Sequence, residues 1–209
     1  MELIDISPEV HSGIAVWPGD QPFERKIALD MKDGANLTLS SIHTTVHLGA
    51  HTDAPNHYAK EGMGIGERSL DYYYGPCQVL EVSTPRGQRI LPEHLSGEVT
   101  EPRVLLKTGS YPDPNFFNED FCSLSKALVE HLHGCGVRLI GIDTPSIDPH
   151  NDKILESHNA VANRDMAVLE GIVLGHVSIG NYLLIAFPLR LKDADASPVR
   201  AVLAMETNA

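Results

Sequence analysis

Short aliphatic runs bounded by Gly and Pro recur along this chain, at residues 77–82, 103–108, 137–142, 171–174 and 182–187. Runs of this length with little polar interruption read as strands, several of them buried on both faces. Residues 37–46, rich in β-branched and aliphatic side chains, read as a further strand. One helix stands out between two of the runs. Leu124, Leu128, Leu132 and Cys135 form its apolar stripe, Ser123 or Ser125 can cap its start, and Gly134 or Gly136 ends it. A shorter helix is expected at 91–95, with Pro92 in its first turn, and a helical turn at 157–163 that presents His158. The most apolar stretch, 171–191, is interrupted by His176, Ser178, Asn181, Pro188 and Arg190. It therefore lacks the roughly 20 uninterrupted apolar residues of a membrane span. It reads instead as two buried strands with a turn near Gly180 and Asn181. No linker, repeat or low-complexity tract divides residues 1–209, so one domain is expected, of α/β class with a mixed sheet.

Composition narrows the class of partner. The 209 residues are 42% apolar and 21% charged, which suits a globular chain with a sizeable core. A formal net charge of -12 argues against nucleic acid or an anionic membrane, both of which need a basic patch. Cys77, Cys122 and Cys135 are an odd number without a CxxC pair, as expected of buried or partly buried free thiols in a reducing cytosol. The acidic opening, Met1 to Asp5, has no basic segment followed by an apolar run, so a cytoplasmic location is expected.

The chemistry concentrates in His47-Leu-Gly49-Ala-His51-Thr-Asp53-Ala-Pro55-Asn-His57. Three histidines and a carboxylate share one odd-numbered register there. Gly49 and Pro55 disfavour a helix. On a strand, residues two apart share a face, so His51 and Asp53 would point together, with His47 one pleat earlier and His57 past the turn at Pro55. Imidazole and carboxylate are ordinary ligands for zinc-like divalent ions. Trp17, the single tryptophan, precedes the turn-prone Pro18-Gly19-Asp20; it either packs the N-terminal segment or contacts a ligand.

That motif resembles the signature of the metal-dependent cyclase-like amidohydrolases, and within them the chain is most similar to the bacterial kynurenine formamidases. The resemblance extends to Val16-Trp17-Pro18-Gly19-Asp20, to residues 141–148, and to His158 followed by Glu170-Gly171. Ala50 stands where the family pattern has Thr, which removes a hydroxyl but no ligand. The resemblance implies a strongly curved, barrel-like sheet with peripheral helices. It also implies two divalent ions per subunit, zinc first, with manganese, iron or cobalt as alternatives. By position, His47 and His51 would hold one ion and His158 the other, with Asp53 and Glu170 contacting both. His57 would move protons, although a ligand role for it is the competing reading. Trp17 would line the pocket of a small aromatic formamide, N-formyl-kynurenine. A homodimer is implied as well. Asp143, Ser146 and Asp148 either orient ligand histidines or serve as turn residues. Two other activities fit the same donors: hydrolysis of another aryl or cyclic amide such as isatin, and an iron oxygenase built on two His and a carboxylate.

Overall fold

The computed structural model describes residues 2–205. Strand β1 (Glu2–Asp5) is followed by an exposed hairpin, β2 (Glu24–Leu29) with β3 (Leu39–His43), and then by the short buried strand β4 (His51–Asp53). Strands β5 (Tyr74–Glu81), β6 (Arg89–Ile90), β7 (Arg103–Lys107) and β8 (Ser123–Leu124) lead into helix α1 (Lys126–Gly134). Strand β9 (Leu139–Ile142), helix α2 (Glu156–Ala162) and strands β10 (Ala167–Leu169), β11 (Gly180–Ile185), β12 (Ala196–Pro198) and β13 (Val202–Met205) complete the order.

Seven strands form one mixed sheet in the order β1-β13-β11-β5-β7-β9-β10. The half from β5 to β10 is parallel; β7 and β9 bury both faces, as their continuous aliphatic runs predict, whereas the first half of β5 alternates between exposed and buried positions. The period of two sorts side chains cleanly. Along β7, Leu105 packs on one face with Val79, Leu169 and Leu203, while Val104 and Leu106 pack on the other with Leu80, Ile140 and Val168. Helices α1 and α2 cover this second face through Leu128, Leu132 and Val161. Ser125 caps α1, its hydroxyl accepting from the Leu128 N–H at 3.0 Å. The ends of the sheet also meet: Ile6, just past β1, accepts a hydrogen bond from Val173, just past β10, at 2.8 Å.

Several expectations need correction. The strand expected at 37–46 ends at His43, and residues 44–50 are irregular, so His47 sits on a bend rather than one pleat before His51. Leu124 belongs to β8, not to the helix. Residues 171–174 are buried but unpaired as a strand, and the neighbouring strand is β10, just upstream. The turn expected at Gly180 lies earlier, where the Val177 N–H reaches the Leu174 carbonyl, and β11 begins at Gly180. The short helix at 91–95 is a single 3-10 turn, Pro92–His94. Cys135 is exposed, whereas Cys77 and Cys122 are buried, and all three are free.

One junction fixes the geometry used below. Beyond β10, Glu170 forms an isolated antiparallel bridge with His51: the His51 N–H donates to the Glu170 carbonyl at 3.0 Å, and the Glu170 N–H to the His51 carbonyl at 2.9 Å. On the other side of β4, strand β12 pairs Ala196 with Asp53 and Pro198 with His51. The bridge requires two glycines back to back. Gly49 and Gly171 both have positive φ, 54° and 65°, and a Cβ on Gly171 would lie 2.1 Å from the Gly49 carbonyl oxygen.

Gly171→Ala should therefore cost more than a left-handed alanine alone. Backbone strain of about 1–2 kcal/mol adds to about 1–3 kcal/mol of overpacking. Gly136→Ala is the control, because Gly136 is also left-handed, at φ 87°, but nothing lies within 4 Å of its Cβ position. Urea unfolding of both variants measures the difference; equal losses would show that the Gly49 contact relaxes freely.

Candidate active site

The two ends of the bridge are the two ends of the site. Cross-strand partners that exchange both hydrogen bonds project their side chains from the same face. His51 and Glu170 thus emerge side by side, with His51 Nε2 3.2 Å from Glu170 Oε2. Asp53, two residues along β4, points the same way into a buried cluster. His158 enters from α2, and His47 from the bend before Gly49.

Asp53 spans the cluster. Its Oδ1 lies 3.0 Å from His47 Nδ1 and 3.7 Å from His51 Nε2, and its Oδ2 lies 3.5 Å from His158 Nε2. Glu170 spans it too, with Oε2 towards His51 and Oε1 3.6 Å from His158 Nε2. Two donor sets result, His47/His51/Asp53 and Asp53/His158/Glu170, each with its ligand atoms within 4.8 Å of one another. A third set of the same compactness is His47/His57/Asp195.

Hydrogen bonds from outside the cluster aim two of the rings. His51 Nδ1 is 2.8 Å from the Gly49 carbonyl, which makes Nδ1 the protonated nitrogen and frees Nε2. His158 Nδ1 is 2.7 Å from Asp148 Oδ2, leaving its Nε2 to the cluster. Asp148 is held by Arg89, whose Nη1 donates to Oδ1 at 2.8 Å. Of the three residues expected to orient ligands or make turns, Asp148 orients a histidine directly. Ser146 accepts from the Asp148 N–H, and Asp143 ties down the loop at Thr108 and Gly109.

The electrostatics call for a cation. Asp53 and Glu170 are both buried, and two adjacent buried carboxylates are costly without compensating charge. Burial opposes their ionisation, yet the surrounding histidines hold both below the usual carboxylate range. Burial alone would push His47 down, but the Asp53 carboxylate, helped by Asp195, outweighs it and raises His47 to about 9. Asp53 Oδ1 is fully buried and makes no hydrogen bond, despite its closeness to His47.

His57 differs. It ends the 3-10 turn Pro55–His57, half exposed, with its ring 4.4 Å from that of His47. Burial pushes its pKa below that of an ordinary histidine. It lines a cavity of about 430 Å³ that also reaches Trp17, His158 and Glu170. Trp17 is no isolated loop residue: its ring packs edge-on against Phe117 at 5.3 Å and Phe121 at 6.3 Å, and tilted against His150 at 5.3 Å. The Ala15 N–H donates to the Pro114 carbonyl, joining the two loops that carry these aromatics.

Sequence reasoning missed two participants. Asp195 Oδ2 lies 3.0 Å from His47 Nε2 and 3.7 Å from His57 Nδ1; it is placed there because β12 pairs with β4 and the Ala54 N–H donates to the Asp195 carbonyl. Arg89 reads in sequence as one more surface cation. Neither has a local signal, because each gains its meaning from a partner far along the chain. His150, which belongs to no motif in the sequence, edges the aromatic cluster.

The family model described as "Putative cyclase" matches residues 4–149. The chain is 44% identical over 203 residues to a kynurenine formamidase of Bordetella pertussis, covering 96% of this chain and 97% of that protein. A solved structure of a predicted metal-dependent hydrolase from Bacillus stearothermophilus aligns with a TM-score of 0.80 at 25% identity, over 97% of both chains. Isatin hydrolase A from Labrenzia aggregata aligns with a TM-score of 0.79 at 20% identity, over 97% of this chain and 93% of that one, a likeness of fold. With its motif, its mixed sheet and its clustered donors in agreement, this chain belongs to the cyclase family, among the kynurenine formamidases.

Proposed function

We propose that this protein hydrolyses N-formyl-L-kynurenine to L-kynurenine and formate. One observation carries the reading: a single cavity joins an aromatic wall, Trp17, Tyr111 and Phe117, to the buried histidine and carboxylate cluster. The 44% identity to a kynurenine formamidase over nearly the whole chain supports the substrate. The isatin alternative has less behind it, since the likeness to an isatin hydrolase extends only to fold. The oxygenase reading loses its basis, because the cluster offers two carboxylates and three histidines rather than a lone triad.

The donor chemistry fits divalent metal. Asp53 Oδ1, buried without a hydrogen bond, is a donor in want of a cation. His47, His51 and Asp53 would hold one ion, and Asp53, His158 and Glu170 a second. Zinc is the first choice; manganese, iron and cobalt accept the same nitrogen and oxygen ligands. When bound, such ions supply a water acidified to near neutrality and positive charge for the developing oxyanion. The chain's own groups do the rest. Trp17, Tyr111 and Phe117 hold the aryl ring. His57, kept neutral by burial, has Nδ1 towards Asp195 and Nε2 free. Nε2 takes the proton of the attacking water and returns it to the departing aryl nitrogen. Asp148 and Arg89 keep His158 aimed at the cluster throughout.

The assembly and compartment are part of the same reading. The hairpin β2–β3 exposes Ile27, Leu29, Leu39 and Ile42, with Met31 and Leu37 exposed in its connection. An apolar patch of this kind marks an interface. We take the partner to be a second copy, and the compartment to be the reducing cytoplasm, where three free cysteines persist. No described helix is long and apolar enough to cross a membrane.

Steady-state turnover of N-formyl-L-kynurenine, with metal analysis of the same sample, tests the function. A metal-replete protein with no formamidase activity would end the proposal. His57→Asn should keep its metal while kcat falls by about 10²–10⁴-fold. His51→Asn should lose metal and activity together. Wild-type kcat/KM should rise with pH through a limb below the ordinary histidine range, as His57 becomes neutral, and His57→Asn should lack that limb. Equal metal loss in the two variants would make His57 a ligand and leave the reaction without this base.

Light scattering should give about twice the 22.8 kDa chain mass for wild type and a shift towards monomer for Ile42→Glu. A wild-type monomer would remove the hairpin from any role in assembly.

A further inference from the structure

The cavity is lined by six carboxylates and, among the described residues, by no lysine or arginine. Five of the six are already engaged. Asp53 and Glu170 belong to the cluster, and Asp195 faces His47 at 3.0 Å. Asp152 pairs with Arg89 at 2.5 Å, and Asp143 accepts from the N–H groups of Thr108 and Gly109. Asp20 is the sixth. Its one hydrogen bond from a side chain comes from the Thr45 hydroxyl, 3.2 Å from Oδ2, and among the described residues no cationic group lies within 4.0 Å of it.

The backbone sets Asp20 at a useful distance from the ring wall. Trp17-Pro18-Gly19-Asp20 is a tight turn, closed by the Asp20 N–H donating to the Trp17 carbonyl at 2.9 Å. Gly19, at φ 100°, supplies the conformation that the third position of a type II turn demands. First and fourth residues of such a turn lie within about 7 Å at Cα. On its other side, the Thr45 hydroxyl that donates to Asp20 accepts the His47 N–H at 3.2 Å. Asp20 thus stands between the aromatic wall and the bend that carries His47, at a half-buried rim that water reaches.

We infer that Asp20 is the specificity residue for the substrate's α-ammonium group, so the site recognises an amino-acid side arm by its positive end. This rests on the formamidase reading above and extends it. The α-amino acid arm of N-formyl-kynurenine leaves the aryl ring through a ketone and a methylene, a reach that one turn can span. With no lysine or arginine at the cavity wall, the α-carboxylate has no ammonium or guanidinium side chain to meet and stays in water. The ammonium meets an unpaired carboxylate, and a charge-assisted hydrogen bond there is worth more than a neutral one.

Two substrates separate the ideas: N-formyl-L-kynurenine, and 4-(2-formamidophenyl)-4-oxobutanoate, which keeps the ring, ketone and carboxylate but has hydrogen in place of the ammonium. Metal-loaded wild type should prefer the first in kcat/KM by about tenfold or more, mainly through KM, as one hydrogen bond to a charged group allows. Asp20→Asn, nearly isosteric, should bring the two substrates to within about threefold of each other, and Asp20→Glu should restore part of the preference. Calorimetric binding of L-kynurenine against 4-(2-aminophenyl)-4-oxobutanoate should show the same contrast without turnover. Equal use of both substrates by wild type, or a preference unchanged in Asp20→Asn, would overturn the inference while leaving the formamidase reading intact. If wild type hydrolyses neither substrate, the formamidase reading falls and this inference with it.

Discussion

The pair of backbone hydrogen bonds between His51 and Glu170 is the constraint on which the site depends. It is a single antiparallel bridge, not a ladder, at the point where β10 has ended and the chain must turn away. It places an imidazole and a carboxylate side by side although more than a hundred residues separate them in sequence. The bridge is confined on each flank. Gly171 and Gly49 pack with no room for a Cβ, and β12 holds the far edge of β4 in register. The Thr52 hydroxyl adds a 2.6 Å hydrogen bond to the Val168 carbonyl, tying β4 to β10 through the side chain that points away from the cluster. A rotation of β4 about its own axis would break all of these together. That is how a three-residue strand can hold two groups of the cluster in place.

Charge explains why this region is so heavily supported. Asp53, Glu170, His51 and His158 are packed where water does not solvate them, with His47 partly buried beside them, in a chain that already carries a net charge of -12. Unsupported, such a cluster would protonate or open. Histidine protons offset the carboxylates in the arrangement described, which is why His47 and His158 are raised while Asp53 and Glu170 are depressed. Divalent cations would take over that role and release those protons. The outer hydrogen bonds matter for the same reason. The Gly49 carbonyl and Asp148 fix which nitrogen of His51 and His158 faces inward, and a ring held that way is poised as a ligand.

How much of this the sequence carries depends on how local each cause is. The 47–57 motif was legible because His51 and Asp53 sit two apart on one strand and Pro55 sets the following turn. The strands at β5, β7 and β9 and the cap at Ser125 were legible for the same reason, since period and capping are short-range. Burial without pairing was not. Residues 171–174 are as apolar as a strand, but Gly171 at φ 65° leaves the extended region and the segment closes over the core unpaired. Strand β2 was missed for the opposite reason: it lies outside the core and its pattern reports no burial, whereas its partner β3 falls within the stretch read as a strand. His158 and Glu170 became legible only through resemblance to a family. Asp195 had neither a motif nor a period, and its place follows from the register of β12 on β4.

The parts of the site are attached to the fold in two separate ways. The histidine and carboxylate cluster is built on the sheet edge, from β4, the residue after β10, and α2. The aromatic wall hangs on two loops, around Trp17 and around Phe117, which hydrogen-bond to each other through Ala15 and Pro114. Changes in those loops can reshape that wall of the cavity while leaving β4 and β10 undisturbed, because the two share no backbone pairing. A sheet of this kind can therefore serve an isatin hydrolase and a kynurenine formamidase alike. The loops shape the cavity wall beside the cluster, and here they place there one wall of rings and one carboxylate without a cationic partner.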